Sequence, residues 1–113
     1  MHEMALCESV LKILEEEAVK QRFDQVKSVW LEVGRLSHVE PEAMRFCFEA
    51  VTKGTLADGA RLEILRPGGE AWCIDCGRAV AIDSRIDACP ECGGYRLQVT
   101  GGEDMKIKEL EVA

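Results

Sequence analysis

Basic charge is in short supply. The 113-residue chain carries 14 Lys and Arg against 21 Asp and Glu, a net charge of −7. A surface of that sign repels phosphate backbones, which argues against a nucleic-acid-binding role. No apolar run approaches the ~20 residues of a membrane span, and no charged segment leads into an apolar stretch as in a signal peptide. A membrane role is therefore not expected, and a cytoplasmic location is. Histidine is scarce as well, with only His2 and His38. No Ser/His/Asp set, phosphate-cradling glycine loop or H-E-x-x-H helix is present, so the residues give no support to an enzyme. Repeats and low-complexity tracts are absent too.

Cysteine is what the chain does have. Four of its six cysteines fall as Cys73, Ile74, Asp75, Cys76 and Cys89, Pro90, Glu91, Cys92. Each C-x-x-C aims two sulfurs at one ion from a tight turn, and two such pairs complete a tetrahedral thiolate site for Zn(II). Gly77 and Gly93 follow the two pairs and supply the permissive backbone that the turns need. Four thiolates close the coordination shell, so this zinc is expected to be structural. A chain this short has a modest core, which a metal staple helps to hold. Cys7 and Cys47 instead lie on apolar helix faces and read as small core residues.

Around the cysteines the periodicity predicts a small α+β domain. Met4, Cys7, Val10, Leu11, Leu14 and Ala18 recur at helical steps over residues 4–20. Residues 26–34 alternate, with Val29, Leu31 and Val33 on one face and Trp30 and Glu32 on the other. Pro41 opens a second helix, with Ser37 and Glu40 suggesting a capping box and Gly54 a stop. A strand over 60–66 ends at Pro67. The last strand, 105–112, slips phase between Ile107 and Leu110, which a bulge or burial on both faces would explain. Glycines at 68–69 and 101–102 frame the cysteine segment as an insertion. The expected architecture is a three-stranded sheet with two helices, residues 1–67 plus 103–113, carrying a zinc-ribbon-like four-cysteine domain over 68–102. The strands 60–66 and 105–112 are expected to pair antiparallel at its root.

Met1, His2 and Glu3 put an amine, main-chain amides and an imidazole together ahead of the first helix. The amides of a first helical turn lack intrahelical partners. Ni(II) and Cu(II) favour such nitrogen donors. Taken alone, the tripeptide fits either such a site or a solvated chain end.

Together with the strand that runs through Trp30 to Gly34 and on to Glu40, and with the two cysteine pairs, that opening resembles the HypA/HybF family of hydrogenase nickel-incorporation proteins. The similarity spans the whole chain. It implies a nickel metallochaperone that carries Ni(II) as transient cargo and Zn(II) as a structural ion on Cys73, Cys76, Cys89 and Cys92. It further implies nickel ligands at Met1 through its amine, His2 through amide and imidazole, and Glu3 mainly through its amide, with Glu40 matching an acidic ligand of some members. Other members use a second histidine late in the zinc unit; this chain has none there, and His38 stands as a substitute. The partners implied are a hydrogenase maturation GTPase and the [NiFe] hydrogenase large-subunit precursor. Supply of urease and a homodimer stay open. The alternative is a zinc-ribbon interaction module without nickel; a metal-dependent hydrolase is a further rival, and it would need an open zinc position.

Overall fold

The computed structural model describes residues 2–113. In chain order it contains α1 (Glu3–Gln21), β1 (Val26–Val33), α2 (Pro41–Thr52), β2 (Arg61–Leu65), β3 (Gly69–Cys73), β4 (Arg78–Ile82), β5 (Leu97–Gly101) and β6 (Met105–Val112). Two three-stranded sheets result, β2-β1-β6 and β4-β3-β5.

Helix α1 buries Glu3, Cys7, Val10 and Leu14, a line stepping by four, three and four. The line begins at Glu3 rather than at Met4, which lies one position round the helix and is 45% exposed. The helix ends where Arg22 adopts a left-handed conformation (φ 58°), letting the Phe23 N–H reach the Ala18 carbonyl. Helix α2 turns Met44 and Phe48 inward. The two helices meet where the Cys7 Sγ lies 3.5 Å from the Met44 carbonyl and 3.9 Å from its sulfur. Cys7 is fully buried and its thiol is pushed up to about 11 by burial, as suits a small core residue.

Glu40 is the N-cap of α2 and Pro41 its first helical residue. The capping box does not form. The Ser37 hydroxyl closes a local turn by donating to the Gly34 carbonyl at 2.7 Å, and the cap residue has no side-chain cap hydrogen bond.

Strand β1, not β2, neighbours β6. Val26 N–H donates to the Leu56 carbonyl and Arg35 N–H to the Pro67 carbonyl, numbers rising together, as in a parallel pair joined through a helical crossover. Against β6 the order reverses: Gly34 N–H meets the Asp104 carbonyl and Ala113 N–H the Gln25 carbonyl. The expected pairing of 60–66 with 105–112 fails because β1 stands between them. Its residues explain why: Val29, Leu31 and Val33 are fully buried, and Val26 and Ser28 are buried on the other face, as befits a central strand.

The phase slip in β6 reflects partial burial on both faces and not a bulge: Met105 and Ile107 are half-buried on one face and Leu110 on the other. Between the flanking main-chain hydrogen bonds, Gln25 to Gly34 and Asp104 to Ala113 advance by the same number of residues, so β1 and β6 stay in step. Lys106 reaches Glu32, directly opposite it, at 3.4 Å, and Glu111 accepts from the Ser28 hydroxyl at 2.9 Å.

The chain divides into two compact units, one built from the residues up to Leu31 with Val39–Ile64 and Ile107–Ala113, the other from Glu32–His38 and Leu65–Lys106. The second unit thus takes in the turn after β1. Its core is Leu36, Ala71, Cys73, Val80, Ile82 and Cys89, with Cys76, Leu97 and Val99 packed around it. In the same unit three glycines approach without side chains. A Cβ on Gly34 would stand 2.0 Å from the Gly102 carbonyl oxygen, one on Gly102 2.6 Å from the Gly69 Cα, and one on Gly69 2.6 Å from Leu36. Of the glycines expected to mark an insertion boundary, Gly69 and Gly102 form a close-packed seam with Gly34, whereas Gly68 and Gly101 do not.

Candidate metal centres

The two C-x-x-C turns are built alike. Gly77 N–H donates to the Cys73 carbonyl and Gly93 N–H to the Cys89 carbonyl, each at 2.8 Å, with both glycines at positive φ (66° and 75°). Within the turns, Cys76 N–H points at the Cys73 sulfur and Glu91 N–H at the Cys89 sulfur, both at 3.4 Å. Such N–H groups stabilise charge on a thiolate. Strand β3 ends in Cys73 and pairs antiparallel with β4 and β5, which fixes the first turn to the sheet.

All four sulfurs lie within 4.8 Å of one another. Cys73 and Cys92 are 3.7 Å apart and Cys76 and Cys89 3.9 Å. Zn–S bonds of about 2.3 Å at tetrahedral angles require sulfur–sulfur edges of about 3.8 Å. The cluster therefore fits a structural zinc ion. Its proton chemistry points the same way. Main-chain N–H groups, that of Cys92 foremost, bring the Cys89 thiol down to about 7, whereas neighbouring thiols, that of Cys92 first, push Cys76 up to about 12. Crowded sulfurs resist holding several negative charges at once, and a divalent cation removes that resistance. With four thiolates no coordination position would stay open, so a zinc ion held here would supply cross-linking and no reaction.

The second group lies at the start of α1. His2 is the exposed N-cap, its carbonyl accepting from Leu6 N–H at 2.9 Å, and its side chain makes no cap hydrogen bond. Glu3 is only 3% exposed, the one buried carboxylate among the described residues. It accepts the Glu40 N–H at 3.1 Å, and that hydrogen bond holds its carboxyl below the usual glutamate range against the opposing effect of burial. The start of α1 and the start of α2 are thereby brought together. Glu40 exposes its side chain there. Met1 lies outside the described residues. His38 belongs to the second unit, where it lines a cleft of about 200 Å³ with Arg35, Arg85, Asp83 and two serines. Two guanidiniums make that cleft a poor host for a cation.

The link from Glu3 to Glu40 was beyond sequence reasoning, as was the place of Leu36 in the zinc-bearing core. Glu3 gave one signal: it begins the Cys7, Val10, Leu14 stripe, where a charge calls for a buried partner.

The family model for hydrogenase/urease nickel incorporation, metallochaperone, hypA matches residues 1–112. The chain belongs to the HypA family. Relatives within it include the hydrogenase maturation factor HypA of Bradyrhizobium sp. (strain ORS 278), 64% identical over 112 residues and covered to 99% in both chains. That of Azotobacter chroococcum mcd 1 is 60% identical with the same coverage. The solution structure of the Ni metallochaperone HypA from Helicobacter pylori superposes with a TM-score of 0.73 at 24% identity, covering 99% of this chain and 97% of that one, which supports the fold. HypA proteins form a family of hydrogenase maturation factors and nickel metallochaperones. No helix of this HypA-family chain, among the described residues, is long and apolar enough to cross a membrane.

Proposed function

We propose that the chain binds one Ni(II) at its amino terminus and delivers it for maturation of [NiFe] hydrogenase, with zinc on Cys73, Cys76, Cys89 and Cys92 holding the second unit. The observation that carries this reading is the hydrogen bond between the Glu3 carboxylate and the Glu40 N–H, 3.1 Å long. It supports a site in which residues 1–3 and Glu40 act together. With its carboxylate engaged, Glu3 contributes its amide; His2 contributes amide and imidazole, Met1 its amine, and the exposed Glu40 a carboxylate at the rim.

Amine, amide and imidazole nitrogens lose protons on binding, so capture weakens as pH falls. An exposed site lets incoming ligands replace these donors one at a time, which suits a carrier that must release its cargo. The chain itself catalyses nothing. The relatives, named as hydrogenase maturation factors, support partners in that machinery: a maturation GTPase and the large-subunit precursor that receives the ion.

Calorimetry on protein with a native amino terminus tests the reading. One nickel per chain is expected, with affinity lost in His2→Ala and in protein with residues added before Met1. Unchanged affinity in both would refute it.

A further inference from the structure

Two of the six cysteines stand apart from the four-sulfur cluster. Cys7 on α1 and Cys47 on α2 both belong to the first unit, which shares no residue with that cluster. The two helices meet in a regular step: Glu3 touches Glu40 and, one turn on, Cys7 touches Met44, 37 residues apart in each case. The Cys7 Sγ lies 3.9 Å from the Met44 Sδ. Cys47 follows Met44 by three residues and so stands beside it on the helix surface. Its nearness to Cys7 is felt electrically, since charge on Cys47 is second only to burial in raising the Cys7 thiol. Two thiols and a thioether are thereby gathered between α1 and α2, one turn inward from Glu3 and Glu40.

Packing alone would be served by aliphatic side chains, and the sulfurs add a chemistry that those lack. Thiolate and thioether donors are soft and select soft ions, Cu(I) among them. At metal–sulfur bonds of about 2.3 Å, sulfurs set in a trigonal plane around one ion stand about 4 Å apart. Cys7 and Met44 already have that separation. Cys7 is sealed from solvent, whereas Cys47 is half-buried and gives an ion its way in. The Cys7 proton is held only by weak contacts with the carbonyl and sulfur of Met44. Burial disfavours a bare Cys7 thiolate, and a cation seated against the sulfur removes that penalty. The donors also set this place apart from the amino terminus, where nitrogens predominate.

We propose that Cys7, Cys47 and Met44 form a further metal site, for a soft monovalent ion of the Cu(I) class, held by two thiolates with the thioether as third donor. Both thiols release their protons to the buffer on binding, and no electron is transferred. The bound ion ties α1 to α2 directly beneath the hydrogen bond from Glu40 to Glu3.

The test is anaerobic titration of the zinc-loaded full chain with Cu(I), kept reduced by ascorbate, against a chromogenic Cu(I) chelator. A second indicator reads any zinc released. One Cu(I) per chain is expected to bind before zinc leaves. Cys47→Ser removes the accessible thiolate and should weaken binding more than about a hundred-fold. Met44→Leu conserves volume but removes the thioether, and should weaken it about ten-fold. Thermal melts check that both variants stay folded, and neither change leaves a large cavity. His2→Ala should bind Cu(I) as the wild type does, because the sulfur site does not draw on the amino terminus. Failure to compete with the chelator, zinc released in step with the first equivalent of copper, either sulfur variant binding like the wild type, or a loss in His2→Ala each overturns the proposal. Zinc release would assign the copper to the four-cysteine cluster, and a loss in His2→Ala would assign it to the amino terminus.

Discussion

The carboxylate of Glu3 and the main-chain N–H of Glu40 are joined at 3.1 Å, a buried charge of the first helix satisfied by the residue that caps the second. In a capping box that N–H is served from within the same helix, three residues on. Ala43 stands at that position here and cannot serve it. Glu3 takes the role from α1, so the end of the chain that carries His2 is fixed by a contact outside its own helix.

Glu3→Ala should lower the melting temperature more than Glu3→Gln, whose amide oxygen can still accept the Glu40 N–H. The two substitutions also differ from the wild type in acid. A carboxyl held below its ordinary value of 4.5 contributes stability that is complete above that value and is lost as pH falls through its folded value. Thermal melts between pH 6 and pH 3 should show this loss in the wild type and not in Glu3→Gln.

Nickel capture should separate the central donors from the carboxylate at the rim. Glu40→Ala is expected to weaken nickel binding about ten-fold, the size of effect typical of groups that support a metal site. His2→Ala should remove high-affinity binding altogether. Competition titrations with a chelator of known nickel affinity measure both, and equal losses in the two variants would contradict the assignment.

Removing zinc, or replacing Cys73 by Ser, should disorder the second unit while α1 and α2 persist. That unit's core holds six buried residues, of which Cys73 and Cys89 are themselves ligand candidates. Amide spectra are the suitable readout: resonances of β3, β4 and β5 should collapse to random-coil positions, with helical ellipticity retained. Acidification should release the ion as the thiolates take up protons.

The thiols should label in a fixed order. Cys7 is raised to about 11 and fully buried. At pH 8.5 an unperturbed thiol is half ionised, so native Cys7 should alkylate on the order of a hundred-fold more slowly than in denaturant, before steric shielding is counted. Quenched mass spectrometry of the zinc-loaded protein checks this.

Much of this was legible in advance. Both C-x-x-C turns, their glycines, the helix faces through Cys7, Val10, Leu14, Met44 and Phe48, and the alternation of β1 follow from spacing alone, because each depends on neighbours close in sequence. The sheet order did not, since Leu62 and Ile64 look equally suited to either neighbour until the crossover through α2 places β2 beside β1. The strands β3, β4 and β5 were missed because five-residue runs such as Gly69, Glu70, Ala71, Trp72, Cys73 carry too few apolar positions to declare a period. Ser37 misled because a hydroxyl near a helix start can equally close the preceding turn, and here Gly34 offered the nearer acceptor.

The glycine seam supplies a sharper contrast. Gly34→Ala drives a methyl against the Gly102 carbonyl and should cost about 3 kcal/mol or more, whereas Gly68→Ala meets nothing within 4 Å and should stay within about 0.5 kcal/mol. Urea denaturation of the two variants decides it.

Strand β3 pairs with β5 so that Glu70 stands opposite Gly101, where the cysteine-bearing excursion leaves and returns. A stretch whose two ends are neighbours is a side branch in topology, however long it grows. Lineages could extend, trim or exchange the residues between these ends while the through-going chain kept its path. The positions that resist such traffic are the three seam glycines, Gly34, Gly69 and Gly102.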